Sequence, residues 1–313
     1  MRKLIVALVA LMMCWASGAG EKLSVLAIGN SFTQSLLPEL PKVAQAAGCK
    51  LDLAIFALGG RAFSNHWANC EVALTNRNFR PYIVRGKRTN LPEILSAQTW
   101  DVITLQQAGN GGMWAWTFDP DADRLVAFIR ARQPKAKLYF QLTWSYNVAS
   151  PFLFGGPGKL GSLGIDQAEM YKRLKSNYTL QARRLGLNLI PVGTAIQDYR
   201  SRLPVTFVPP SKQELKTLAA AGRLPDLKGA LVGSYRFTGK GNARQLRFDD
   251  IHLNREGKYL QACVWTATLF GVDIRNLPYV PDFGADFQRR APLIRACAQA
   301  AVSNGELRVE NVK

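Results

Sequence analysis

The chain has 313 residues, of which 48% are hydrophobic and 20% charged, a composition typical of a globular protein and not of a disordered one. Lysine and arginine number 40 and aspartate and glutamate 22, which gives a formal charge of +18. The basic residues are scattered, which argues against a nucleic-acid-binding surface. Two explanations of the charge stay open: the general charge of one exported proteome, or attraction to acidic partners such as an anionic polysaccharide.

The first 19 residues have the pattern of a secretory signal peptide. Arg2 and Lys3 precede the apolar run Leu4–Trp15, and small residues at 17–19 offer a cleavage site. The apolar run is shorter than the roughly 20 residues that cross a bilayer. We therefore expect an exported protein, periplasmic or secreted, without stable membrane insertion.

A lipoprotein signal is not expected. Met13 stands where such a signal needs a small residue before the modified cysteine, Cys14. The remaining residues, 20–313, contain no internal repeat or linker, so they are predicted to form a single domain.

Apolar strands and amphipathic helices alternate along the mature chain. Short, continuously apolar segments are predicted to be buried strands: Lys22–Ile28, Leu51–Leu58, Asp101–Leu105, Lys137–Thr143 and Leu187–Val192. Apolar residues at helical spacing predict helices between them: Ser35–Ala47, Leu91–Ala97, Ala122–Arg132 and Asp166–Leu185. This alternation predicts an α/β fold, a three-layer α/β/α sandwich with a mostly parallel five-stranded sheet of the flavodoxin-like kind.

Polar clusters follow several of these strands. Ligands of parallel sheets bind beyond the carboxyl ends of the strands, so the turns at 29–31 and 59–60 and the loop 106–112 are expected at one site. Residues 202–247 lose periodicity and are rich in Pro, Gly and Lys. They are too long for a plain loop, and we predict an insertion near the mouth of the site, such as a lid or substrate platform.

A base for nucleophilic chemistry must come from few residues, because the mature chain has only His66 and His252. Asp249 precedes His252 by three positions, a spacing that in a turn lets the carboxylate accept the Nδ1 proton and leaves Nε2 facing a serine. Ser31 follows the first strand and precedes a helix, whose positive end suits a developing negative charge. Structural roles stay open: Ser31 as a helix N-cap, and Asp249 as a cap beside an incidental histidine.

Taken together, these segments resemble a known superfamily. Val25–Thr33 (VLAIGNSFT) is similar to the first sequence block of the SGNH/GDSL hydrolases, and Asp249-x-x-His252 to their fifth. The likeness is closer to a bacterial branch usually described only as a domain of unknown function. It extends over GNSF, Gly59-Gly60 with His66-Trp67, Trp100–Gln107, Thr143-Trp144, Pro191–Gln197 and His252-Leu253-Asn254 with Gly257.

The resemblance implies ester hydrolysis without metal or cofactor. Ser31 would be the nucleophile, His252 the base and Asp249 the residue that orients it. The oxyanion hole would use the N–H groups of Ser31 and Gly60. The third block of the superfamily supplies an asparagine in a Gly-x-Asn pattern, which here is AGN at 108–110. The amide donor therefore stays open between two equal candidates and a third behind them: Asn110, Gln107 and Gln106.

Four residues near the expected site are predicted to bind substrate, because an aromatic beside a histidine can stack on a sugar: His66, Trp67, Trp144 and Tyr146. Trp114 and Trp116 add aromatics at neighbouring strand ends, and packing under loops is the alternative role for all of them. We expect hydrolysis of small acyl esters, O-acetyl groups on a glycan first among them. The alternatives are a lipase or lysophospholipase, and a non-catalytic glycan-binding protein on the same scaffold.

Four cysteines follow the leader: Cys49, Cys70, Cys263 and Cys297. None has the spacing of zinc ligands, so no metal site is expected. Export permits disulfides, and proximity in the chain favours Cys49–Cys70 and Cys263–Cys297, with buried free thiols as the alternative.

Overall fold

The computed structural model describes residues 22–153, 163–203, 207–227, 229–239, 241 and 244–304. The predicted signal peptide, with Cys14, lies outside these residues. The strands, in chain order, are β1 (Lys22–Gly29), β2 (Lys50–Ala57), β3 (Tyr82–Val84), β4 (Lys87–Thr89), β5 (Val102–Leu105), β6 (Lys137–Gln141), β7 (Asn188–Ile190), β8 (Val232–Thr238) and β9 (Gln245–Leu253).

The helices that connect these strands are, in chain order, α1 (Ser31–Gln34), α2 (Leu40–Ala46), α3 (Phe63–Thr75), α4 (Leu91–Ala97), α5 (Asp121–Arg132), α6 (Gln167–Leu185), α7 (Val192–Arg202), α8 (Lys212–Ala220), α9 (Arg255–Phe270) and α10 (Ala285–Ser303). In the described part of the chain, no helix is long and apolar enough to cross a membrane.

A five-stranded sheet forms the centre, with the order β2–β1–β5–β6–β7 and parallel pairing throughout. Val25–Ile28 of β1 is completely buried, as expected for a central strand covered on both faces. Helix α9 packs on α2, α7 and α10, whereas α3 packs on α4 and α5. The predicted α/β fold, with its flavodoxin-like strand order, is confirmed.

Several local predictions differ from the structure. The helix predicted over Ser35–Ala47 is shorter in the structure, where α2 begins only at Leu40. Pro38 cannot continue a helix interior, whereas Pro41 lies in the first turn of α2, where proline is tolerated. The segment around His66 is helix α3, and neither this helix nor the β3–β4 hairpin after it was predicted from the sequence.

The region at 202–247 is more regular than expected. It contains α8 and most of an antiparallel hairpin formed by β8 and β9. The second strand of the hairpin continues to Leu253, so Asp249 and His252 lie on a strand and not in a turn.

The four cysteines are free thiols, three of them buried and Cys49 partly exposed, so neither disulfide considered from the sequence is formed. Burial raises the pKa of Cys70 to about 11 and that of Cys263 to about 12. Such thiols are protonated and unreactive at neutral pH.

Candidate active site

Ser31 begins the short helix α1 directly after β1. The N-cap of this helix is Asn30, whose side-chain oxygen accepts from the Phe32 N–H at 3.0 Å and whose amide donates to the Arg61 carbonyl at 3.0 Å. The capping position considered for Ser31 is therefore occupied by its neighbour. Since α1 has only four residues, the helix dipole expected at Ser31 is small.

A buried glutamine fixes this turn from the adjacent strand. The Gln106 side-chain oxygen accepts from the Asn30 N–H at 3.3 Å and from the Thr33 hydroxyl at 3.0 Å. A Cβ at Gly29 would lie 2.2 Å from Thr33 Oγ1 and 2.7 Å from Gln106 Oε1, so only glycine fits there. Because Thr33 and Gln106 pack this closely against Gly29, the chain can turn sharply between the end of β1 and Ser31.

Asp249, His252 and Ser31 form one hydrogen-bonded series. His252 Nε2 lies 2.7 Å from Ser31 Oγ, and Nδ1 lies 2.9 Å from both carboxylate oxygens of Asp249. The Asp249 carboxylate also accepts the backbone N–H of His252 at 3.2 Å. A carboxylate that accepts from Nδ1 fixes the tautomer in which Nε2 can take a proton from a hydroxyl.

The charge of Asp249 is favoured by its surroundings. Burial raises its pKa, but the hydrogen bonds and charge of His252, with two backbone N–H groups, outweigh burial and hold the pKa below its ordinary value. Arg236 lies 3.9 Å away with its side chain mostly exposed. The neighbouring Asp250 is turned elsewhere, with its carboxylate bound to the Ser150 hydroxyl.

Two aromatic side chains hold the histidine strand against the serine helix. Phe32 stacks on Trp144 with ring centroids 4.3 Å apart, and contacts the His252 ring edge-on at 5.4 Å. The Trp144 indole donates to the Ile251 carbonyl at 2.9 Å and is completely buried. The prediction that Trp144 binds substrate is therefore wrong, because its faces are covered and its polar atom is engaged.

A buried amide network anchors the other side of α1. Gln261 of α9 accepts from the Ser35 hydroxyl at 2.6 Å and donates to the Phe32 carbonyl at 3.0 Å. It also donates to Gln141, which accepts from the Trp265 indole at 2.7 Å. These contacts could not be predicted from the sequence, because they join residues more than 100 positions apart.

The backbone donors predicted for an oxyanion hole lie at one edge of the sheet. Gly29 pairs with Ala57, and Ile28 with Leu105, so the segments after β1, β2 and β5 start side by side. Among the described residues, the N–H groups of Ser31 and Gly60 have no hydrogen-bond partner. Both are available to a ligand.

The three amide candidates differ in how far they are already engaged. Gln106 holds the serine turn, and its amide donates to the Gln107 carbonyl. Gln107 is completely buried, donates to Thr117 and accepts from the N–H groups of Phe63 and Ala108. The Asn110 carboxamide is partly exposed and has no partner in the described part of the chain. Of the three side-chain amides, that of Asn110 is therefore the one best able to donate to a ligand.

Tyr146 supports the loop that carries Asn110. Its hydroxyl accepts from the Asn110 N–H at 2.8 Å, and a Cβ at Gly109 would lie 2.1 Å from that hydroxyl. Tyr146 is 4% exposed, and burial raises its pKa to about 12. The prediction that Tyr146 binds substrate is corrected, because the ring is buried beneath the loop.

The prediction that His66 binds substrate is also wrong. His66 is 1% exposed, with Nδ1 2.8 Å from the Tyr82 hydroxyl and Nε2 unpaired among the described residues. Burial lowers its pKa to about 4. The Trp67 indole nitrogen is likewise buried without a described partner. His66 therefore has no face free for a sugar, whereas Trp67 is partly exposed and its role in substrate binding stays a prediction.

A family profile matches residues 24–205, more than half of the chain, and its description is Domain of unknown function (DUF4886). The chain belongs to the DUF4886 family. This match confirms the bacterial branch indicated by the motifs. The matched part of the DUF4886 protein contains Ser31, Gly60 and Asn110 and ends before the hairpin that carries Asp249 and His252. No curated protein matches the sequence.

Solved structures with a similar fold include a DUF4886 family protein from Bacteroides uniformis. The identity is 24% and the TM-score 0.64, over 91% of this chain and 94% of that one, a likeness that shows the fold alone. A protein of Slackia heliotrinireducens, proposed to be an SGNH hydrolase, has 18% identity and a TM-score of 0.44 over 80% and 100% of the two chains. A family 3 carbohydrate esterase of Clostridium thermocellum has 11% identity and a TM-score of 0.37 over 78% and 94%.

Proposed function

We propose that this DUF4886 protein is an exported serine esterase that hydrolyses small acyl esters, with O-acetyl groups on a glycan as the expected substrates. One observation carries the proposal: Ser31 Oγ lies 2.7 Å from His252 Nε2, and Asp249 lies 2.9 Å from the opposite ring nitrogen. A serine hydroxyl is a weak nucleophile until a base in this position accepts its proton. The resemblance to the SGNH/GDSL hydrolases supports the same roles.

In the proposed reaction, Ser31 Oγ attacks the ester carbonyl while His252 Nε2 takes the hydroxyl proton. Asp249 keeps the ring oriented and stabilises the imidazolium that forms. The imidazolium then gives its proton to the leaving alcohol, and an acyl-serine remains. Water, activated by the same histidine, releases the carboxylic acid and restores the Ser31 hydroxyl.

The tetrahedral intermediate needs donors for its oxyanion. The proposed donors are the N–H groups of Ser31 and Gly60 and the carboxamide of Asn110, none of which has a partner within the described part of the chain. Gln106 and Gln107 are proposed to position the loop, because their amides are already bound to protein groups.

The glycan part of the proposal depends on Trp116. This side chain is 74% exposed and lies in the loop after β5 that also carries Asn110. The loop is braced at Thr117, whose hydroxyl donates to the Gly111 carbonyl at 2.7 Å. An exposed indole on a braced loop is suited to stack on a sugar ring.

This function is tested by measuring hydrolysis by the purified protein of p-nitrophenyl esters of increasing chain length and of an O-acetylated polysaccharide such as acetylated xylan. We expect release of p-nitrophenol from the acetate ester and of acetate from the polysaccharide, both abolished in Ser31→Ala. A preference for long acyl chains would indicate a lipase instead. Sugar binding without release of acetate would indicate a glycan-binding protein.

A further inference from the structure

A small cavity lies beside the first residue of β8, and no residue of the Ser31–His252–Asp249 series is part of its described lining. It has a volume of about 90 Å³, which is large enough for a small ligand or several water molecules. Its described lining includes three polar side chains, Asn147, Gln167 and Arg200. The rest of the lining is apolar and includes Val148 and Val232. The cavity therefore has one cationic region within a largely apolar wall.

The side chain of Arg200, on α7, lines this cavity and contacts the loop that follows β6. Its guanidinium donates to the Ser145 hydroxyl at 2.6 Å and to the carbonyls of Ser145 at 3.0 Å and Tyr146 at 3.3 Å. The Nε–H group has no partner among the described residues. The three partners are neutral oxygen atoms, so none of them compensates the positive charge.

No acidic side chain in the described part of the chain forms an ion pair with Arg200. Asp198, on the same helix, binds Arg202, and Asp250, in the adjacent hairpin, binds the Ser150 hydroxyl. Burial lowers the pKa of Arg200 to about 9, which leaves the group charged at neutral pH. Arg200 is only partly exposed to water. A charge that is partly withdrawn from water without a counter-ion destabilises a fold, and an anion in the adjoining cavity would relieve this.

We propose that this cavity binds a short-chain carboxylate, with acetate as the simplest case. The guanidinium of Arg200 supplies the counter-charge, since guanidinium and carboxylate form strong charge-assisted hydrogen bonds. The apolar wall at Val148 and Val232 accommodates the short hydrocarbon tail. This site is separate from Ser31 and does not depend on the proposed esterase activity.

The melting temperature of the protein tests the site directly. Titration with sodium acetate is compared with sodium chloride at equal ionic strength and with acetamide, which has the shape of acetate without its charge. We expect a saturable rise of about 2 °C or more at ten times Kd with acetate alone. An equal rise with chloride or acetamide, or no rise with acetate, would overturn the proposal.

Two variants locate the binding. Arg200→Gln removes the charge, and Val148→Phe fills the cavity while the Arg200 hydrogen bonds to Ser145 and Tyr146 are kept. Both are expected to lose the acetate-dependent rise, whereas Arg183→Gln, which removes an exposed arginine on α6, keeps it. If Arg200→Gln does not fold, the acetate-dependent change in the melting temperature of Val148→Phe tests the proposal. A full acetate effect in Val148→Phe would mean that acetate binds elsewhere, the Ser31 site included, and would contradict the proposal.

Discussion

Ser31 Oγ and His252 Nε2 lie 2.7 Å apart although 221 positions separate the two residues in the chain. The serine is placed by the end of a central strand, whereas the histidine is carried by a hairpin outside the sheet. The hairpin is held to the loop after β6 by two bonds of 2.9 Å, from the Asn147 N–H to the Asp250 carbonyl and from the Trp144 indole to the Ile251 carbonyl. The site therefore depends on the docking of the hairpin as well as on the sheet.

The first prediction concerns the carboxylate that orients the base. Asp249→Asn removes the acceptor that fixes the His252 tautomer, so kcat/KM for p-nitrophenyl acetate should fall by about 10²–10⁴-fold. Asp250→Asn is the matched control, because its side chain binds Ser150 and faces away from the ring. A control variant as inactive as Asp249→Asn would show that the wrong carboxylate had been assigned.

The second prediction concerns Asn110 and the tyrosine beneath it. Asn110→Ala should lower kcat by about 10²–10³-fold with little change in KM, since an oxyanion donor acts in the transition state. Tyr146→Phe should lower kcat by a smaller factor, because it leaves the Asn110 N–H without its acceptor and loosens the loop. Steady-state kinetics of the single variants and the double variant measure both effects.

If Tyr146 is a positioning residue, it acts only through Asn110. The double variant should then have the kcat of Asn110→Ala alone, because nothing is left to position. Effects that multiply in the double variant would assign Tyr146 a role independent of Asn110, such as general stability of the fold.

The third prediction concerns substrate size. Trp116→Ala should raise KM for an acetylated polysaccharide about tenfold and leave kcat/KM for p-nitrophenyl acetate unchanged, since a small ester does not reach a sugar platform. Leu180→Ala, which removes an exposed apolar side chain from α6, serves as the control. Equal losses on both substrates would indicate that Trp116 stabilises the loop and does not bind sugar.

The fourth prediction concerns acid stability. His66 has a pKa of about 4 in the folded protein, whereas the unfolded chain binds the proton near pH 6.5. Between these values the unfolded state holds more protons, so the free energy of unfolding should decrease as the pH falls, by about 3 kcal/mol in all from this group. Urea unfolding at pH 7.5 and pH 4.5 measures the decrease, which should be smaller in His66→Gln. An identical decrease in the variant would contradict this origin.

The sequence predicts the central sheet well because its strands are continuously apolar, as in Val25–Ile28. It also predicts that Ser31, Asp249 and His252 lie in contact, since histidine is rare in this chain and the spacing of Asp249 and His252 is distinctive. It fails for Trp144, Tyr146 and His66, because an aromatic side chain has the same sequence signal whether it faces substrate or the interior. Their burial is decided by tertiary contacts.

The amide donor of the oxyanion hole could not be chosen from the sequence either. Asn110, Gln107 and Gln106 have equivalent donors, and only the packed structure shows that two of the three are already bound. The role of Gln261 could not be predicted, because it lies in an apolar helix far along the chain from α1. Only the folded structure shows that its side chain binds Ser35 and Phe32 and so holds α1 in place.

Covalent labelling of Ser31 tests the central claim most directly. A fluorophosphonate reacts with a serine hydroxyl that a neighbouring base activates, and peptide mass spectrometry locates the adduct. We predict one adduct, on Ser31, which is lost in Ser31→Ala and forms at least 100-fold more slowly in His252→Ala. An adduct on another serine, or labelling of Ser31 at the same rate without His252, would contradict the account.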